Sequence, residues 1–537
     1  MKRRLLILLL IAGFISAGAE CVRADDENTL SALQKNHWAW KSPVRSAIPA
    51  VKDAAWVKNP LDAFVLARLD AKGLKPAPPA DPRTLLRRIT FDLIGLPPTP
   101  QELADFEAEC TSPESRQAAL EKAIDRLLAS PHYGERWGRH WLDLVRFAES
   151  NGYEFDEPRP DAWRYRDYVI AAFNADKPYD RFVQEQIAGD ELFPGDPEAW
   201  IATGLNLLGP DMTDASSQAQ RRQNTLDDIT DTTGLAFLGM TIGCAHCHDH
   251  KFEPIPQTDY FRLQAFFSGV QFRRDVPVAS KQELAEHAAA VAAYKAKTHA
   301  VDERIARVEA PYREKLHAQK LAKLSEAAQA AHALRADKRT AAQADLVLET
   351  TPLLKISDKE LLGSLNAEDK TERQKLTAAL NAFDKLKPKP PAVAMALADG
   401  PGLMPKTHVL ERGQLSNPGI EVRPGFPIVL VKDNRPVEAA PPDGNAHHRR
   451  AALAKWLARP DNPLSARVMV NRLWQHHFGA GIVASANDFG IRGSPPSHPE
   501  LLDWLAVEFA QPSAGTAWSI KRMHKMILMS ASYQQST

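Results

Sequence analysis

A long stretch from Lys281 to Leu386 constrains this chain more than any other feature. It is dominated by Ala, Lys, Glu, Arg and Gln, with very few aromatic residues and glycines. Such residues lose little side-chain entropy in a helix, so the stretch favours long helices by intrinsic propensity. Its leucines, among them Leu316, Leu321 and Leu324, are too sparse for sustained heptads. The expectation is a helical spacer or hairpin over 281–390, ended by Lys387-Pro388-Lys389-Pro390-Pro391 and interrupted or kinked at Pro311. A segment with so few large apolar residues carries no core of its own, so the chain divides into two globular parts on either side.

Those parts differ in texture. Residues 56–275 read as a compact helical domain: Leu61, Phe64, Val65 and Leu69 recur at near-helical spacing, and Gly73 follows as a stop. Residues 401–537 read as mostly helical with a few short strands, such as Thr407–Leu410 and Pro427–Val431. The fold class expected is therefore mainly α. Ahead of both lie an extended segment over 25–55 and, over 1–24, a secretory signal. Lys2, Arg3 and Arg4 precede the apolar run Leu5–Ile15, and small residues follow at Ala17-Gly18-Ala19. The run is short for a bilayer core of ~30 Å. The reading is a periplasmic or otherwise exported protein without a membrane span in its mature chain.

Charge excludes one class of partner. The 537 residues hold 67 Lys+Arg and 67 Asp+Glu, so no global field draws nucleic acid. Forty prolines imply many stiff, irregular connections, and four cysteines are too few for a disulfide scaffold. Cys110 is expected to be a free thiol.

The chemical signal is Cys244-Ala245-His246-Cys247-His248. Two thiols three residues apart can add to the two vinyl groups of haem, and the adjacent imidazole can then serve as proximal iron ligand. Cys244 and Cys247 are thus the candidate attachment residues for haem c, and His248 the candidate iron ligand. The apolar series Leu226, Ile229, Thr233, Phe237 and Met240 suggests a helix running into the motif. His246 is expected to point away from the ring. The distal ligand is left open among His476, His477, Met212 and His498. Rival uses of the motif are a divalent metal site, a redox thiol pair or a structural element. Two further groups carry polar side chains. The loop from Glu149 to Asp161 combines carboxylates with Tyr153, Phe155 and Trp163, a pattern that suits sugar or cation binding, with a solvated loop as the plainer reading. Asp227, Asp228 and Asp231 form an acidic stripe for which exposure is expected.

Several stretches together resemble a known domain pair. Leu93–Pro100, Ser130–Trp137 and Cys244–Pro256 are similar to the second planctomycete-type cytochrome-associated domain of unknown function. Asp461–Leu464, Asn471–Gly479 and Ser497–Leu502 resemble its usual partner, the first planctomycete-specific domain of unknown function. The resemblance implies this two-domain order, and it implies that the second domain normally continues past Tyr533, so an incomplete C-terminal domain is expected. The function expected is periplasmic electron transfer with a redox partner, coupled to oxidation of an organic substrate. The alternative is a metal-assisted hydrolase or carbohydrate-binding protein with a structural Cys-x-x-Cys-His group. Whether the chain is an enzyme is not decided by these residues. The C-terminal helices are expected to fold back onto the Trp137–His248 region, bringing His476 or His477 to that interface.

Overall fold

The computed structural model describes residues 36–153, 156–211, 217–400, 405–431, 437 and 448–536. The signal segment 1–24, Met212 and the Glu154-Phe155 pair of the acidic loop lie outside the described residues. The chain is mainly α, with two small two-stranded sheets among the described residues.

Proline sets the beginnings of the first helices. Helices α1 (Pro60–Ala71), α2 (Pro82–Ile94), α3 (Pro100–Glu109), α4 (Pro113–Ala129) and α5 (Pro131–Leu144) each start at a proline. The residue before each is a cap, Asn59, Asp81, Thr99, Ser112 or Ser130, whose side chain accepts a backbone N–H of the first turn. Proline's fixed φ suits this position, and its missing N–H would be unpaired there anyway. Many of the prolines that suggested irregular loops therefore define helix starts. Cys110 is the C-cap residue of α3 and carries a free thiol.

Helices α6 (Ala162–Asn174), α7 (Tyr179–Leu192), α8 (Pro197–Ala202), α9 (Gln218–Leu238) and α10 (Gln257–Gln264) complete the first domain. Helices α5 and α6 touch backbone to backbone: a Cβ at Gly134 would sit 2.4 Å from the Ile170 carbonyl oxygen.

Strand β1 (Val270–Pro277) then leads into the spacer. Helix α11 (Lys281–Leu321) runs outward for 41 residues, about 60 Å at 1.5 Å per residue. It passes through Pro311 without ending, so of the interruption or kink expected there the interruption is absent. Helices α12 (Glu326–Ala333), α13 (Ala341–Leu354) and α14 (Asp358–Ser364) follow, and α15 (Ala367–Asn381) returns along α11. Arg304–Glu372, Arg373–Glu309 and the Tyr312–Asp369 hydrogen bond tie the outward and return helices. The base is closed by β2 (Val393–Asp399), which pairs antiparallel with β1 from Val270↔Asp399 to Pro277↔Val393. This pairing joins residues more than a hundred positions apart and is invisible to local patterning.

In the C-terminal part, β3 (Thr407–Leu410) pairs with β4 (Pro418–Val422). The strand expected at Pro427–Val431 is instead a short 3-10 turn over Ile428–Leu430. Helices α16 (Arg449–Leu457), α17 (Ser465–Phe478), α18 (Pro499–Ala510) and α19 (Ile520–Leu528) do not form a separate body. One hydrophobic core runs from Ala39 through the first domain to Tyr533. Arg472 on α17 donates to the carbonyls of Ala236 and Leu235, satisfying the open end of α9 at 2.5 and 2.9 Å. Fully buried Arg450 on α16 meets Asp190 and Glu191 of α7 and Asp399 of β2. The N-terminal segment also crosses the C-terminal helices: Ser42 donates to the Asp461 carbonyl, and Arg45 pairs with Glu508 at 2.6 Å. No helix among the described residues is long and apolar enough to cross a membrane.

Candidate functional site

Helix α9 stops before the motif. Gly239 adopts φ 58°, a left-handed turn that few other residues take without strain, and its N–H closes the helix on Leu235. The motif lies on a separate 3-10 turn, Gly243–His246, so the continuous helix expected there is absent. Burial divides the turn by residue. Met240, Ile242 and Ala245 are anchored in the core, whereas Cys244, Cys247 and His248 are exposed, and both thiols are unbridged.

Polar contacts hold this turn against both halves of the molecule. Gln257 donates through Nε2 to the His246 carbonyl and to the Leu410 carbonyl of β3, each at 2.8 Å. The Glu253 carboxylate accepts the Ile491 N–H at 2.8 Å. His248 Nδ1 lies 2.7 Å from the Asp249 carbonyl oxygen. A carbonyl can only accept, so this nitrogen carries the proton and Nε2 keeps its lone pair.

His246 turns inward against Tyr260 and Phe261 and faces the acidic stripe of α9. Its Nε2 is 3.4 Å from Asp227 Oδ2, close enough for attraction but not aligned as a hydrogen bond. Asp227 also accepts from Gln264 and Gln223 at 2.7 and 2.9 Å. Burial pushes the Asp227 carboxyl up. Asp231, one turn along, is raised to about 7 by burial and then by the neighbouring Asp227 charge, and its Oδ1 is buried without a partner. The exposure expected for this stripe is therefore wrong for Asp227 and Asp231, because α10 and the motif turn cover their face. Asp228 points elsewhere and pairs with Arg146.

The proposed distal ligands lie in other surroundings. His498 sits ahead of α18 beside Ser497. His476 and His477 reach the interface between α5 and the C-terminal helices, where they surround Trp137 with two histidines that sequence reading missed, His140 and His524. His477 joins Asp92 at 3.2 Å through Nδ1 and His524 at 2.8 Å through Nε2, while His140 and His476 stack at 3.7 Å. None of the bonds or ring contacts of His476, His477 and His498 reaches Cys244–His248. The fold-back places the histidines at the interface, yet it builds a second cluster rather than completing the first. No signal in the sequence linked His140 and His524 to the His476-His477 pair, because they come from separate helices.

The remaining carboxylates do not gather either. In the acidic loop, Glu149 pairs with Arg166 and Asp161 with Arg164. Among the described residues, no three His, Cys, Asp or Glu side chains converge as a metal site. At the motif itself, two exposed thiols and a His248 Nε2 free for ligation fit the covalent attachment and proximal ligation of haem c.

Residues 60–272 match the PSCyt2 family model and residues 449–537 the PSD1 family model, each described as a protein of unknown function. No curated protein and no solved structure matches the chain. The Cys244–His248 turn lies inside the first matched region, and three of the four clustered histidines on Trp137 come from the second. The chain thus carries a PSCyt2 domain followed by a PSD1 domain.

Proposed function

We propose that this protein is an exported carrier of haem c that transfers electrons to a periplasmic redox partner, coupled to oxidation of an organic substrate. The observation that carries the reading is the His248 Nδ1–H bond to the Asp249 carbonyl. A bond of this kind fixes the ring and leaves Nε2 basic, as metal-ligating histidines require. Cys244 and Cys247 stand exposed on the same turn, where each S–H can add across one vinyl group. When bound, the haem supplies one-electron chemistry. The chain's own part is to hold the turn rigid through Gln257, Glu253 and the buried Ala245. Expression with a leader and a cytochrome c maturation system, followed by a denaturing gel stained for haem peroxidase activity, tests the reading. A stained band is expected, lost in Cys244→Ala and Cys247→Ala. A colourless mature protein made beside a working control cytochrome overturns it.

A second reading is favoured by one distance: Cys247 Sγ lies 3.6 Å from His246 Nδ1, whose opposite nitrogen faces Asp227. Under it, Cys244 and Cys247 form a redox thiol pair, giving two electrons and two protons to an external disulfide as they close into one disulfide. Intact-mass measurement of the mature protein separates the two, since haem attachment adds mass that thiol reductants cannot remove.

A further inference from the structure

A groove of about 600 Å³ lies along α5 and α6, away from the Cys244–His248 turn. Arg136, Arg139, His140 and Asp143 all line it. They are spaced i, i+3, i+4 and i+7, which puts them on one helical face. Arg146 and Arg166 also line the groove, but Asp228 engages the first, and Glu149 and Asp167 the second. Among the described residues, Arg136 and Arg139 have no such partner. Arg139 makes no ion pair with Asp143 one turn on, and Arg136 Nε is buried with no hydrogen bond. Asp143 and Glu135 also line the groove, Glu135 hydrogen-bonded to His132 at 2.7 Å, and neither forms an ion pair with the two guanidiniums.

The groove is also built to stay in place. Gly95, at φ 72°, lets the Arg136 stem lie across it, with the position of a Cβ only 3.1 Å from Arg136 Cδ. His140 is stacked at 3.7 Å on His476 from the other domain, which backs this wall residue from behind. Burial pushes His140 down to about 3 and His476 to about 4, with Arg136 adding to the effect on each. At neutral pH both rings are uncharged, and each offers one N–H donor and one acceptor.

We propose that this groove binds an organic anion, a carboxylate, sulfate or phosphate ester of sugar size, through Arg136 and Arg139 with His140 as hydrogen-bonding partner. Unpaired guanidiniums recognise such groups bidentately, and the volume exceeds that of a bare inorganic ion while matching small-molecule sites. The inference is independent of the haem reading, since it uses none of the residues around Cys244–His248.

Titration calorimetry of the full chain with glucuronate, inorganic phosphate and sulfate at low ionic strength tests it. Saturable binding is expected, weakened at least tenfold in Arg139→Gln and in Arg136→Gln and unchanged in Arg83→Gln, whose ion pair with Glu107 joins α2 to α3. The preferred probe assigns the head group: glucuronate for a carboxylate, the inorganic ions for sulfate or phosphate esters. Arg139 is exposed, so its variant keeps the test valid should Arg136→Gln fail to fold. Bound anion is also expected to shift the His140 ring titration upward by NMR. Absence of saturable binding for all three probes, or undiminished binding in Arg139→Gln, overturns the proposal.

Discussion

His246 Nε2 stands 3.4 Å from Asp227 Oδ2, so one of the two residues between the motif cysteines lies against α9. That contact joins an exposed turn to a half-buried carboxylate pair. It makes the motif's surroundings sensitive to the protonation of α9.

Asp231 gives the clearest pH effect. Its folded pKa of about 7 lies above its ordinary value of 3.8, so between those values the folded state holds a proton that the unfolded state has lost. Stability from this group is therefore full below pH 4 and falls as pH rises toward 7. Asp231→Asn is expected to gain on the natural chain over that window, by on the order of 2–4 kcal/mol at pH 8. Urea midpoints at pH 4, 6 and 8 give the difference, and a gap that does not widen with pH refutes the assignment.

The Trp137 cluster acts in the opposite sense. His140 and His476 titrate in the folded chain at about 3 and about 4, below their ordinary 6.5. The unfolded state takes up protons first, so their contribution is present above pH 6.5 and is lost as pH falls toward 3. The double variant His140→Gln, His476→Gln is expected to show a shallower loss of stability between pH 6.5 and 4. Equal slopes in thermal melts would count against it.

Arg450 holds three carboxylates together in the core. Its replacement by methionine leaves Asp190, Glu191 and Asp399 without their shared cation. The expected loss is ~3–5 kcal/mol, as for other broken buried pairs. Denaturant unfolding measures it, and a loss under about 1 kcal/mol would mean that the ion pairs are peripheral to stability.

At Gly134, α5 and α6 approach too closely for a Cβ. Gly134→Ala would force its methyl to 2.4 Å from the Ile170 carbonyl. The helices must separate, at a cost of about 1–3 kcal/mol. The same change at exposed Gly363, where nothing lies within 4 Å, is expected to be neutral or slightly stabilising. A thermal melt of the two variants side by side checks both.

Local signals in the sequence were sufficient for a great deal. The alanine-rich run after Lys281 declares helices because propensity depends on neighbours in the chain, and so does capping at Pro100. Pro60, Pro82, Pro113 and Pro131, in contrast, read as irregular connections and prove to start helices. The Cys244–His248 spacing likewise raises the proposal of haem attachment from neighbours in the chain alone. What only tertiary structure decided is which faces meet. Asp227 and Asp231 looked like a solvated stripe until α10 and the motif turn covered them, since helical periodicity groups residues on a face without saying what packs there. His140, His476, His477 and His524 come together from three helices far apart in sequence. The β1–β2 pairing that closes the spacer is equally remote. Contacts of this kind are chosen by burial of the whole core, and no short window of residues encodes them.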